Sequence, residues 1–92
     1  MKVIVRAKAA DDLAAIFGWI ARDNPTAAAE TVRRIRARFE RLGTPGLAYM
    51  GRRGAIEDTR ELIEAPYIVV YEVREPAGEI VVLAIAHGAQ NR

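Results

Sequence analysis

Arg52, Arg53 and Arg60 lie close together in the second half of the chain, and His87 is its single histidine. Arginine presents a planar fork of donors that matches phosphate or carboxylate. Imidazole titrates near neutral pH, so His87 is the side chain best suited to moving a proton. Five more arginines, Arg33, Arg34, Arg36, Arg38 and Arg41, fall within one nine-residue stretch. Net charge is only +2, yet the pI is about 9.4. An anionic partner fits this bias, with solvated helix faces as the plain alternative. The chain has no cysteine, which excludes a disulfide framework and a thiolate zinc site, and one histidine makes no metal-binding cluster. The expectation is a protein that needs neither metal nor cofactor.

The elements that must position these residues follow from hydrophobic period. Lys2 to Arg6 reads as a first strand. After Ala7-Lys8-Ala9-Ala10 come Leu13, Ile16, Phe17 and Ile20, the spacing of one helical face. Trp19 lies off that stripe, either widening the buried face or standing partly exposed. Asp11 and Asp12 are expected in the first turn, where the helix dipole favours carboxylates. Asn24 can cap and Pro25 is pre-set for a first helical position, so Asp23-Asn24-Pro25 closes a helical hairpin. The second helix, about Pro25 to Leu42, carries Ala28, Val32, Ile35, Phe39 and Leu42 as a core stripe with arginines on its other faces.

Gly43 ends that helix, and a link of about a dozen residues runs through Thr44-Pro45-Gly46 to Gly51-Arg52-Arg53-Gly54. A link of that length in so small a chain is often functional. Ile56 to Glu64, Tyr67 to Arg74 and Ile80 to His87 then read as three strands in a meander, separated by Ala65-Pro66 and by Glu75-Pro76-Ala77-Gly78-Glu79. The fold expected is α+β, in the order β-α-α-β-β-β, with the helical hairpin on one face of a small four-stranded antiparallel sheet. The other face is left to solvent or a partner. At 92 residues the chain is expected to be a single domain, residues 1–92, with a modest core. It shows neither a membrane-length apolar run nor a signal-peptide pattern, so a cytoplasmic location is the default.

This order of elements, together with a set of local words, resembles the RelE/ParE superfamily of bacterial toxins from type II toxin-antitoxin modules. The words are Ala10-Asp11-Asp12-Leu13-Ala14-Ala15-Ile16, Asp23-Asn24-Pro25-Thr26-Ala27-Ala28, Gly51-Arg52-Arg53-Gly54, Thr59-Arg60-Glu61-Leu62, Tyr67-Ile68-Val69-Val70-Tyr71 and His87-Gly88-Ala89-Gln90. The resemblance covers nearly the whole chain. It implies a toxin neutralised by a cognate antitoxin that wraps its helices and sheet. An uncovered sheet face and an arginine-rich helix suit an antitoxin segment that is acidic and partly disordered until bound, with Arg34, Arg38 and Arg41 as its contacts.

Within the superfamily the resemblance implies two targets. ParE-like members are associated with poisoning DNA gyrase, and the hairpin word and a sheet poor in catalytic groups favour that branch. RelE-like members cut mRNA on the ribosome, by attack of a ribose 2′-OH on the adjacent phosphate, which needs a proton-transfer group and cations on the developing charge. On that reading Arg60 and His87 are the catalytic pair, provided the sheet brings them within a few ångströms. Arg52, Arg53 and Arg60 are the target-binding residues. Against the nuclease reading, no aromatic follows His87, and Gln90 stands where many relatives carry arginine. A third reading is an inactive member that only binds antitoxin.

Overall fold

The computed structural model describes residues 1–88. The chain runs β1 (Lys2–Val5), α1 (Ala7–Ala21), α2 (Pro25–Glu40), β2 (Arg52–Arg53), β3 (Arg60–Glu64), β4 (Tyr67–Arg74) and β5 (Glu79–His87), with 3-10 turns at Arg41–Gly43 and Glu75–Ala77. The five strands form one sheet in the order β1-β5-β4-β3-β2. Two helices on one face of this sheet make the expected α+β fold.

The sheet departs from the sequence reading in three details. It has five strands rather than four, because Arg52–Arg53 in the link adds a short β2. β2 to β5 pair antiparallel, but β1 runs parallel to β5 through Lys2↔Glu79 to Val5↔Val82, so the sheet is mixed. Alternation has period two in either pairing, and strand direction is therefore not written in it. The strand expected from Ile56 starts only at Arg60, because Asp58 takes a left-handed conformation (φ 64°) and closes a turn between β2 and β3. Asp tolerates that region better than most residues.

The core lies between the helices and one sheet face. Ala9 and Leu13 of α1 and Ile35 and Phe39 of α2, with Leu42 just beyond, pack on Leu62, Val69, Tyr71, Ile80, Val82 and Ile85. The stripe read on α2 is the buried one. On α1 it is offset: Ala9 and Leu13 are buried, Phe17 is half exposed, and Trp19 is 71% exposed. The hairpin is capped as its residues require, with Pro25 at the first helical position and Asn24 Oδ1 accepting from the Ala27 N–H at 3.0 Å.

Because α1 begins at Ala7, Asp11 and Asp12 fall in its second turn rather than its first. Asp12 has another task. β1 pairs with β5 only as far as Val82, and beyond it the Asp12 carboxylate accepts the Ile85 backbone N–H at 2.9 Å.

Candidate functional site

The link from α2 to the sheet is held by two side chains. Tyr71 is fully buried on β4, and its hydroxyl donates to the Ala48 carbonyl at 2.9 Å while accepting from the Gly51 N–H at 3.0 Å. Arg60, at the start of β3, donates from one terminal nitrogen to the Gly51 carbonyl at 2.5 Å and the Tyr49 carbonyl at 3.1 Å. Its guanidinium lies 5.2 Å from the centre of the Tyr49 ring, a cation-π contact. The glycines of Gly51-Arg52-Arg53-Gly54 permit this closeness. A Cβ on Gly51 would sit 2.7 Å from the Glu61 carbonyl oxygen, and one on Gly54 would sit 2.3 Å from Thr59 Oγ1.

These residues frame a cleft of about 560 Å³ lined by Tyr49, Arg53, Gly54, Thr59, Arg60 and Val73, with Glu57 and Asp58 also on its wall. Arg53 and Arg60 are directly opposite one another in the β2–β3 ladder. Arg53 is exposed and engages no partner among the described residues. Arg60 Nε is buried in the corner without a hydrogen bond. The Tyr49 hydroxyl donates to the Glu75 carboxylate, which raises its pKa above the ordinary phenol value.

The sheet divides the residues read as target-binding. Arg52 is one position along from Arg53 and so projects from the opposite face. There it pairs at 3.0 Å with Glu61, a nearly buried carboxylate that also accepts the Ala55 N–H. Arg52 is thus neutralised where Arg53 is not.

His87 is at the other end of the same face as Arg60. Arg60 pairs with Tyr71, whereas His87 pairs with Tyr67. Four residues along and two strands across separate their backbones by about 16 Å. The condition for a catalytic pair, contact within a few ångströms, is not met. His87 instead packs edge-on against Tyr67, ring centres 5.5 Å apart. Together with Asp12, Ala15, Ile16, Trp19 and Ile85 these two rings line a second groove of about 620 Å³, between α1 and the end of β5. Gln90 lies outside the described residues.

The residues read as antitoxin contacts share one face of the α2 segment, at i, i+4 and i+7. Arg34 and Arg41 are exposed, and Arg34 adds its charge to that of Arg33 on Glu30. Arg38 is half-buried, 3.7 Å from the Glu64 carboxylate and close to the Met50 sulfur. On a neighbouring face Arg33 forms a two-pronged contact with Glu30, lowering the carboxyl's pKa chiefly by hydrogen bonding.

Sequence reasoning passed over Tyr49, took Tyr71 only as part of a strand word with no role at the site, and left Trp19 undecided. Tyr49, an aromatic in a link bounded by glycines, offered a signal. Tyr71 looked like any alternating strand residue. Among the described residues no group of three or more His, Asp or Glu side chains could hold a metal ion, and no helix is long and apolar enough to cross a membrane.

A helical hairpin thus lies on one face of a small mixed sheet, an arrangement shared with solved chains of type II toxin-antitoxin systems. A family model described as the ParE toxin of the type II toxin-antitoxin system parDE matches residues 3–92, and the chain belongs to that family. No curated protein sequence matches it significantly. Among solved structures it is similar to a chain of the chromosomal ParDE toxin-antitoxin system from P. aeruginosa, at 27% identity and TM-score 0.82, covering 95% of each chain. It also shares its fold with a chain of the RelBE2 toxin-antitoxin complex from Mycobacterium tuberculosis, at 17% identity and TM-score 0.56, covering 97% of this chain and 92% of that one.

Proposed function

We propose that this ParE-family toxin acts on DNA gyrase by binding rather than by catalysis, and that an acidic antitoxin neutralises it. One observation carries the reading: its proton-transfer candidate and its cation are at opposite ends of the sheet. His87 packs on Tyr67, and Arg60 spends donors on the Tyr49 and Gly51 carbonyls. General acid-base chemistry on a ribose phosphate needs both within hydrogen-bond reach of one substrate. Binding needs only a shaped, charged surface. Arg53 over the Tyr49–Arg60 cleft supplies that surface, with Arg52 beside it on the reverse face. The antitoxin takes the α2 face, where Arg34 and Arg41 are exposed to its carboxylates and Arg38 can exchange Glu64 for one.

The test sets two reactions side by side with purified toxin: supercoiling by gyrase, and ribosome-dependent mRNA cleavage. Loss of supercoiling with accumulation of cleaved DNA and intact mRNA is expected. Cleavage of mRNA with normal supercoiling sinks the reading. Normal growth of cells expressing the toxin without antitoxin points to an inactive member.

A further inference from the structure

The chain has no cysteine and two methionines, so its oxidisable sulfur is confined to Met1 and Met50. Met50 is 36% exposed, on the link between α2 and the sheet. Its backbone is pinned on both sides. The Met50 N–H donates to the Leu47 carbonyl at 3.1 Å, Arg60 holds the carbonyls of Tyr49 and Gly51, and the Tyr71 hydroxyl holds the Gly51 N–H. The side chain reaches back to α2, where its sulfur accepts from a terminal nitrogen of Arg38 at 3.6 Å.

Arg38 has two weak partners there. A thioether is a poor acceptor. The Glu64 carboxylate stands 3.7 Å from the Arg38 Nε, longer than a charge-assisted hydrogen bond. A guanidinium so placed turns to any stronger acceptor brought within its reach. Addition of one oxygen to the sulfur makes such an acceptor, because it converts an apolar thioether into a polar sulfoxide. The new oxygen is attached to the atom that Arg38 already faces.

We infer that Met50 is a site of reversible oxidation by peroxides, and that its sulfoxide captures Arg38. A sulfur lone pair forms the S–O bond as the O–O bond of hydrogen peroxide breaks. Sulfur is oxidised, peroxide is reduced, and the departing oxygen leaves as water after proton transfer. Thiol-dependent sulfoxide reduction restores the thioether. Arg38 is then tied to the link and withdrawn from the acidic partner, so oxidation loosens the antitoxin's hold. That last consequence rests on the antitoxin reading above, whereas the oxidation and the capture do not.

The test treats purified toxin with hydrogen peroxide beside two variants. Met50→Leu keeps the volume without an oxidisable sulfur, and Met50→Gln presents an amide oxygen in place of the sulfoxide. The Met50 peptide of the wild type is expected to gain the mass of one oxygen, reversed by methionine sulfoxide reductase. In nitrogen-edited NMR spectra the Arg38 Nε–H resonance should move in the oxidised wild type and stay in treated Met50→Leu. Affinity for the protein encoded by the adjoining reading frame should fall about fivefold in the oxidised wild type and in Met50→Gln. Peroxide should leave the affinity of Met50→Leu unchanged although its Met1 is oxidised. Met50 staying reduced while Met1 oxidises overturns the site. Oxidation with an unmoved Arg38 resonance overturns the capture, and an equal loss of affinity in treated Met50→Leu assigns the effect to Met1 and overturns the link to binding. Untreated wild type that fails to bind overturns the antitoxin reading, while the peptide masses and the Arg38 resonance still decide this one.

Discussion

The carboxylate of Asp12, on the second turn of α1, accepts the backbone N–H of Ile85 on β5. The contact is made where the sheet is irregular. Val70 of β4 pairs with Ala84 and Tyr71 with Val82, which leaves Leu83 as an extra residue in β5. β1 has already ended opposite Val82. One side chain therefore supplies the acceptor that a longer first strand would have given, and in doing so ties α1 to the sheet.

Asp12→Ala leaves that N–H without its acceptor and should lower the unfolding free energy by about 1–3 kcal/mol, the usual cost of such a loss. Asp12→Asn keeps an oxygen in place and should cost less. Urea denaturation of the three proteins checks the order.

Tyr71→Phe removes a hydroxyl that satisfies both Ala48 and Gly51 in the buried link. A loss of about 1–3 kcal/mol is expected, with faster amide exchange at Gly51. Unchanged exchange there would mean that Arg60 alone holds the link.

Arg60 and Arg53 should separate stability from action. Arg60→Ala frees the Tyr49 and Gly51 carbonyls and should lower the melting temperature. Arg53→Ala, at an exposed and unengaged position, should change stability by no more than about 0.5 kcal/mol while reducing toxicity. Thermal melts and growth arrest, measured on both variants, form the comparison.

Tyr49 gives a pH dependence of known sign. Its pKa is raised in the fold, first by the hydrogen bond to Glu75. The folded state therefore holds the proton more tightly than the unfolded one. The stabilisation is complete below the unfolded phenol value of about 10 and is lost as pH rises through the higher folded value. Titration of ring-labelled tyrosine by NMR should show Tyr49 ionising above a model peptide, and Glu75→Gln should reduce the shift.

Salt should slow association with the antitoxin, since exposed arginines steer an acidic partner through a field screened over about 10 Å at 0.1 M. Arg34→Glu with Arg41→Glu should lower the on-rate and flatten its salt dependence. Stopped-flow measurement at two ionic strengths tests this.

The helical hairpin and its core stripe were legible because each local signal agreed with the others: Asn24 and Pro25 at the cap, and Ala28, Ile35, Phe39 and Leu42 at core spacing. The three later strands were legible from alternation. What stayed hidden depends on contacts distant in sequence. The parallel register of β1 and the role of Asp12 arise only when residues more than seventy positions apart meet. The candidate site was half legible. Arg53 and Arg60 do adjoin, but a two-residue strand facing Arg52 the other way has too short a pattern to be read. The distance from Arg60 to His87 was fixed by register alone.

The central position of β5 also bears on how the toxin comes into being. β5 lies between β1 and β4 and is the last of the described strands in chain order. A nascent chain that has not reached Glu79 has no partner for β1, no anchor for Asp12 and half a floor under α1. A chain that stops before Glu79 is therefore expected to stay unfolded, its two helices having too little sheet on which to bury their core stripe.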